Sequence, residues 1–177
     1  EGVYDIGKNL ERWVDGIMIR TFGHQIAVDL AQSARIPVIN ALTDLSHPCQ
    51  GMADFFTLRE HKGALADLKL AYVGDGNNVC HSLLLAAARG GTKMAVATPP
   101  GYAPNPRMVQ MAREDGRETG FDVALSTSAE EAVSGADAVY TDVWASMGQE
   151  AEKEKRAAIF APFQVNAHLM SHAKKDA

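Results

Sequence analysis

Four short stretches of this 177-residue chain carry side chains suited to chemistry. His47-Pro48-Cys49-Gln50 sets an imidazole and an amide around a proline that suits the first turn of a helix. There, unpaired backbone N–H groups and the helix dipole favour an anion or a developing oxyanion. His47 also suits a plain helix cap or a histidine at the edge of a core. Arg20 ends a run that reads as a strand. If that strand lies parallel to the next one, Arg20 shares a rim with His47; otherwise it is a surface arginine.

Gly74-Asp75-Gly76-Asn77-Asn78 falls between a strand-like run and a helix-like run, the place where parallel-sheet proteins hold ligands. The dinucleotide fingerprint does not fit. It needs a small residue where Val79 stands, and no Asp or Glu ends the run 93–98 to hold a ribose. Two adjacent amides can instead pair with a carboxylate or an ammonium, although a plain turn uses the same residues. Thr141-Asp142-Val143-Trp144-Ala145-Ser146-Met147-Gly148 puts a carboxylate, an indole and small loop residues just beyond a strand. Asp142 there can hold an ammonium or cap a later helix.

These stretches need elements to position them. Apolar periodicity predicts a helix to about residue 13, a strand at 16–20, a helix at 25–34 and a strand at 36–42. Pro48 starts a helix that runs through His61, with Gly63 ending it. A second alternation follows, with strands at 69–73, 93–98, 121–125 and 136–143 and helices at 80–89 and from Pro106 to about Arg113. Asn105 caps the latter helix, and Ser128 with Glu131 has capping-box spacing for another. The tail predicts a helix at 153–160 and a further one near 165–172. Helix and strand in alternation define an α/β protein with parallel sheets.

Composition narrows the partners. With 46% hydrophobic residues the chain can bury a core, and its net charge of -5 argues against a nucleic-acid footprint. Cys49 and Cys80 form no CxxC pair, so a reducing compartment is the expectation. No run approaches the roughly 18 apolar residues of a membrane span. The charges of the run 150–156 read as a solvated helix face. His24, His61, His81, His168 and His172 are assigned no metal.

In this order, Arg20, His47-Pro48-Cys49-Gln50, Gly74-Asp75-Gly76-Asn77-Asn78 and Thr141-Asp142-Val143-Trp144-Ala145-Ser146-Met147-Gly148 resemble the ornithine carbamoyltransferase family over nearly the whole chain. The Ser-Met-Gly loop is the most specific part, since it separates ornithine enzymes from aspartate enzymes of the same superfamily. The resemblance implies two doubly wound parallel-sheet domains, the first incomplete in this chain. Residues 1–47 would close a carbamoyl-phosphate domain, 48–63 would connect, and 64–177 would form an ornithine domain lacking its final segment. Arg20 and His47 would be catalytic and, with Gln50, would hold carbamoyl phosphate, while Asn78, Asp142, Ser146 and Met147 would hold L-ornithine.

The same resemblance implies no cofactor and no metal, a homotrimer in the full-length protein, and a cytoplasmic enzyme, or a mitochondrial one in a eukaryote. A related enzyme for another amine, such as putrescine, would not need Asp142 for an α-ammonium. A non-catalytic amino-acid-binding module is the other alternative. The family's Ser-Thr-Arg-Thr motif is expected before Glu1, and its His-Cys-Leu-Pro motif after Ala177.

Overall fold

The computed structural model describes residues 2–145 and 150–177. Ser146 and Met147 therefore lie outside the described residues. The first part runs α1 (Val3–Leu10), β1 (Ile17–Arg20), α2 (His24–Ser33) and β2 (Val38–Leu42). β1 and β2 pair in parallel, with Ile17 opposite Val38 and Arg20 opposite Leu42 after a register shift between Ile19 and Arg20. The parallel pairing puts the end of β1 and the chain leaving β2 on one rim. β1 alternates between half-buried and exposed side chains while β2 exposes only Ile39, so apolar Met18 and Ile39 face outward at 69% and 53% exposure.

The remaining elements are α3 (Pro48–Lys62), β3 (Lys69–Val73), α4 (Asn78–Gly90), β4 (Lys93–Ala97), α5 (Pro106–Asp115), β5 (Val123–Ser126), α6 (Ala129–Val133), β6 (Ala138–Tyr140), α7 (Lys153–Phe160) and α8 (Ala167–Met170). The second sheet has the order β5-β4-β3-β6 and every pairing is parallel. Its central strand shows why the chain folds this way. Leu70 and Tyr72 point into a core with Phe55 of α3, Leu83 and Leu84 of α4 and Val109 of α5. Ala71 and Val73 point the other way, against Val133 of α6 and Leu169 of α8. A strand buried on both faces must be apolar throughout, which a Leu-Ala-Tyr-Val run satisfies. The α/β class with parallel sheets and helices on both faces of the second sheet matches the expectation.

Helix starts follow the side-chain caps. Asn77 Oδ1 accepts the N–H groups of Val79 and Cys80, Asn105 accepts that of Arg107, and Ser128 Oγ accepts that of Glu131. Each such cap is worth about 1 kcal/mol. Several elements are shorter than predicted, two of them by half or more. The strand expected at 136–143 is only Ala138–Tyr140, because the Ala136 N–H turns back to the Val133 carbonyl, and residues 141–143 leave the ladder. The helix expected near 165–172 is only Ala167–Met170, capped by Asn166.

Two glycines set distances that matter for the site. A Cβ on Gly51 would stand 3.2 Å from the Ser82 Cβ, so the absence of a side chain lets α3 lie close on α4. A Cβ on Gly76 would stand 2.2 Å from the Pro104 nitrogen, so only glycine fits where that loop crosses the segment before α5.

Candidate functional site

A cavity of about 640 Å³ opens between the two sheets, lined by Arg20, His47 and Gln50 on one side and by Asn78 and Asp142 on the other. Thus five of the seven residues singled out in the sequence share one cavity, and Ser146 and Met147 fall outside the described residues. A smaller cavity of about 410 Å³ at the β4–β5 edge contains none of these residues.

Local structure explains the gathering. Arg20 ends β1, and the chain leaving β2 reaches His47 at the N-cap position of α3. The His47 N–H donates to Ser82 Oγ at 2.8 Å, which ties the start of α3 to α4 beside the close Gly51 contact. Gln50 thereby lies in the first turn of α3, next to the beginning of α4. Asn78 Nδ2 donates to the Thr43 carbonyl at 2.6 Å, joining the two sides of the cavity a second time.

The His47 side chain makes no capping bond although it occupies the cap position. Among the described residues nothing bonds its buried Nδ1. A buried polar atom left open is costly, and this one belongs to a residue of the cavity wall. Loss of solvent lowers the His47 pKa, the Arg20 charge lowers it further, and Asp142 and Asp54 oppose the shift. The favoured form is the neutral imidazole, which can donate one N–H without a full charge.

Gln50 Nε2 donates to Asp54 Oδ1 at 2.9 Å, which leaves the amide oxygen of Gln50 as an acceptor. On the opposite wall, Asn77 Nδ2 donates to Asp142 Oδ2 at 2.8 Å, and the Val143 N–H donates to Oδ1. Asn77, read from the sequence as one of two adjacent amides able to pair with a carboxylate or an ammonium, does two jobs: it caps α4 and orients the Asp142 carboxylate.

The charged run 150–156 is not wholly a solvated face, as the sequence suggested. Arg156 is buried, ion-paired with Asp75, and donates from Nε to the Trp144 carbonyl. Its guanidinium carbon also lies 4.9 Å from the Tyr102 ring centre and 5.1 Å from that of Phe160. Pairing and aromatic faces together offset its desolvation, as a surface assignment from charge pattern could not anticipate. The available signal was Phe160, four residues along the same helix face. Burial raises the pKa of Asp75 from its ordinary value, against the pull of Arg156.

His81 was likewise left without a role by the sequence. Its Nδ1 lies 2.8 Å from the Leu45 carbonyl, and the Asn105 N–H donates to Nε2 at 3.0 Å. Those bonds fix the neutral tautomer with the proton on Nδ1.

The fold and cavity define a class: an α/β protein with two parallel sheets and a cavity where strand ends meet, with Arg and His on one wall and Asp and amides on the other. Residues 1–60 match the model of the aspartate/ornithine carbamoyltransferase carbamoyl-P binding domain, and residues 66–177 match that of the Asp/Orn binding domain. The chain belongs to the aspartate/ornithine carbamoyltransferase family.

It is 54% identical to the ornithine carbamoyltransferase of Carboxydothermus hydrogenoformans over 99% of this chain and 57% of the relative. With that of Thermococcus kodakarensis it shares 52% identity over 99% of this chain and 56% of the relative. The solved ornithine carbamoyltransferase of Pyrococcus furiosus superposes with a TM-score of 0.95 at 49% identity, over 99% of this chain and 56% of that one. The one from Gloeobacter violaceus gives 0.92 at 47% identity, over 100% and 59%. The chain thus spans a little over half the length of the relatives it matches.

Proposed function

We propose that this chain carries the facing walls of an ornithine carbamoyltransferase site, transferring the carbamoyl group of carbamoyl phosphate to the δ-amine of L-ornithine to give L-citrulline and phosphate. The observation that carries this reading is the shared cavity of Arg20, His47, Gln50, Asn78 and Asp142 in a chain of this family.

In this reading Arg20 and the neutral His47 face the carbamoyl carbonyl oxygen and stabilise its charge as the amine attacks. The acceptor oxygen of Gln50 takes the carbamoyl N–H. Asp142 pairs with the α-ammonium, while Asn78, Ser146 and Met147 hold the rest of the amino acid. The neutral δ-amine forms the new C–N bond, the tetrahedral centre collapses, and the C–O bond to phosphate breaks. The proton lost by the amine passes to an oxygen of the departing phosphate. Orientation and fixed dipoles supply the acceleration, and the reading calls for no cofactor. The division 1–47, 48–63 and 64–177, the homotrimer and a cytoplasmic location or mitochondrial matrix belong to the same proposal, as does a place in arginine metabolism.

The test is a chimera in which this chain replaces the matched stretch of the Carboxydothermus hydrogenoformans enzyme. It should make citrulline, and Asp142→Asn should weaken ornithine by a factor of about 10 to 150, from a lost charge-assisted contact of roughly 1.5–3 kcal/mol. Carbamoyl phosphate binding should hardly change. Unaltered ornithine affinity in the variant, or equal use of putrescine by the parent chimera, would overturn the reading.

A further inference from the structure

Glu130 on α6 and His168 and His172 at the end of the chain stand together on the surface. Each offers one ligand atom, and the three atoms lie within 4.8 Å of one another. His168 Nε2 is 3.5 Å from Glu130 Oε1, and the two imidazole rings meet edge to face with centres 5.3 Å apart. None of the three lines the 640 Å³ cavity. The carbamoyl-transfer reading gives them no task.

The backbone beneath them is fixed from both sides. Asn166 Oδ1 accepts the Leu169 N–H at 2.9 Å, and Leu169 is buried against the second sheet. The His172 carbonyl accepts the Gly135 N–H at 2.9 Å, and the Lys174 N–H donates to the Ala136 carbonyl at 3.0 Å. Ser128 caps α6 just before Glu130. Only side-chain rotation remains free, and all three side chains are exposed enough to rotate.

We infer that Glu130, His168 and His172 form a binding site for a divalent transition metal of the zinc type, bridging α6 to α8. His172 lies two residues beyond α8, where the turn brings its imidazole edge to face with that of His168, and the carboxylate arrives from α6. Bonds of about 2.0–2.1 Å in a tetrahedron put neighbouring donors roughly 3.4 Å apart, so closing on an ion takes shifts of about 1 Å. Two nitrogens and one oxygen suit Zn²⁺ or Co²⁺ rather than Mg²⁺ or Ca²⁺, which take oxygen ligands, and water would fill the fourth position. A plain surface ion pair between His168 and Glu130 is the competing account. It would leave His172 unused.

The experiment is a calorimetric titration of the 177-residue chain with zinc chloride, paired with visible spectra on adding Co²⁺. One saturable site is expected, with the absorption of four-coordinate cobalt and a melting temperature that rises with zinc. His168→Ala and His172→Ala should each weaken zinc roughly tenfold or more, since even loss of an outer partner of a ligand costs about that much. Cys49→Ser, the exposed thiol, should bind as the parent does. Circular dichroism checks that the variants fold, which substitution of exposed residues favours. Absence of saturable zinc binding, or zinc binding that survives unchanged in the double variant His168→Ala/His172→Ala, overturns the site. Neither readout uses carbamoyl transfer, so the two proposals fail separately.

Discussion

The guanidinium of Arg156 is ion-paired with the carboxylate of Asp75, and the two side chains keep only 4% and 12% of their surface exposed. The pair links α7 to the Gly-Asp-Gly-Asn-Asn loop, and the Arg156 bond to the Trp144 carbonyl extends that link to the segment after Asp142. One cation therefore holds together two of the loops that wall the cavity.

Arg156→Met should be strongly destabilising, because it leaves the Asp75 charge buried without a partner, at a cost on the order of 3–5 kcal/mol. Adding Asp75→Asn should recover part of that loss, since the orphaned charge is then removed. Urea unfolding of the parent, the single variant and the double variant measures both effects. A single-variant loss under about 1 kcal/mol, the value of an exposed pair, would show that the contact does not organise the loops.

Arg20→Ala or His47→Ala in the chimera should lower turnover roughly a hundredfold or more if both groups stabilise a developing oxyanion. The His47 pKa is lowered by burial and then by Arg20, so the working neutral form persists at neutral pH. Activity should fall as the medium is acidified through that lowered value. Steady-state rates across pH decide it. Full activity of Arg20→Ala, or an unchanged acid limb in His47→Ala, would remove the residue from the chemistry.

Much of the site was legible because its positions depend on local rules. Pro48 marks a helix start, a parallel alternation puts strand ends on one side, and Arg20 and His47 follow from the two together. Asn77 was visible as an amide but not as a cap that also holds Asp142, since that bond spans β3 and β6. Arg156 was misread because its burial depends on Tyr102 and Asp75, which no pattern within 150–156 contains. The strand 136–143 was read too long because alternation cannot show where hydrogen bonding stops, and the release of 141–143 from the ladder is what frees Asp142 for the cavity.

His81 should make stability fall in mild acid. Burial lowers its pKa, against smaller upward pulls from the Leu45 carbonyl and Asp75, so the folded protein holds it neutral. The unfolded chain takes up a proton near pH 6.5, so the stability contribution is fully present above that value and is lost as pH falls through the lower native pKa. Protonation would also set an N–H against the Asn105 N–H that now donates to Nε2. Urea unfolding at about pH 7.5 and about pH 5.5 should show a larger loss for the parent than for His81→Gln. Equal losses would assign the acid sensitivity elsewhere, His47 being the first candidate because its shift has the same sign.

Taken by itself, the 177-residue chain should make no citrulline, although its second sheet should be firm. β3 is buried on both faces, with Leu70 and Tyr72 in one core and Ala71 and Val73 in the other, so its amides open only with the whole unit. β1 and β2 form a two-stranded sheet whose Met18 and Ile39 are exposed, and two strands with an open apolar face are marginal in water. Arg20 ends β1 and so stands on the weaker base, whereas His47 is tied to Ser82 of α4. A misplacement of about 1 Å at reacting groups already costs roughly a hundredfold in rate. Hydrogen exchange should therefore find slow amides in Lys69–Val73 and Lys93–Ala97 and fast ones in Ile17–Arg20 and Val38–Leu42. Equal protection in both sheets, or citrulline formed from carbamoyl phosphate and ornithine by the purified chain, would show that the small sheet holds Arg20 rigidly without further support.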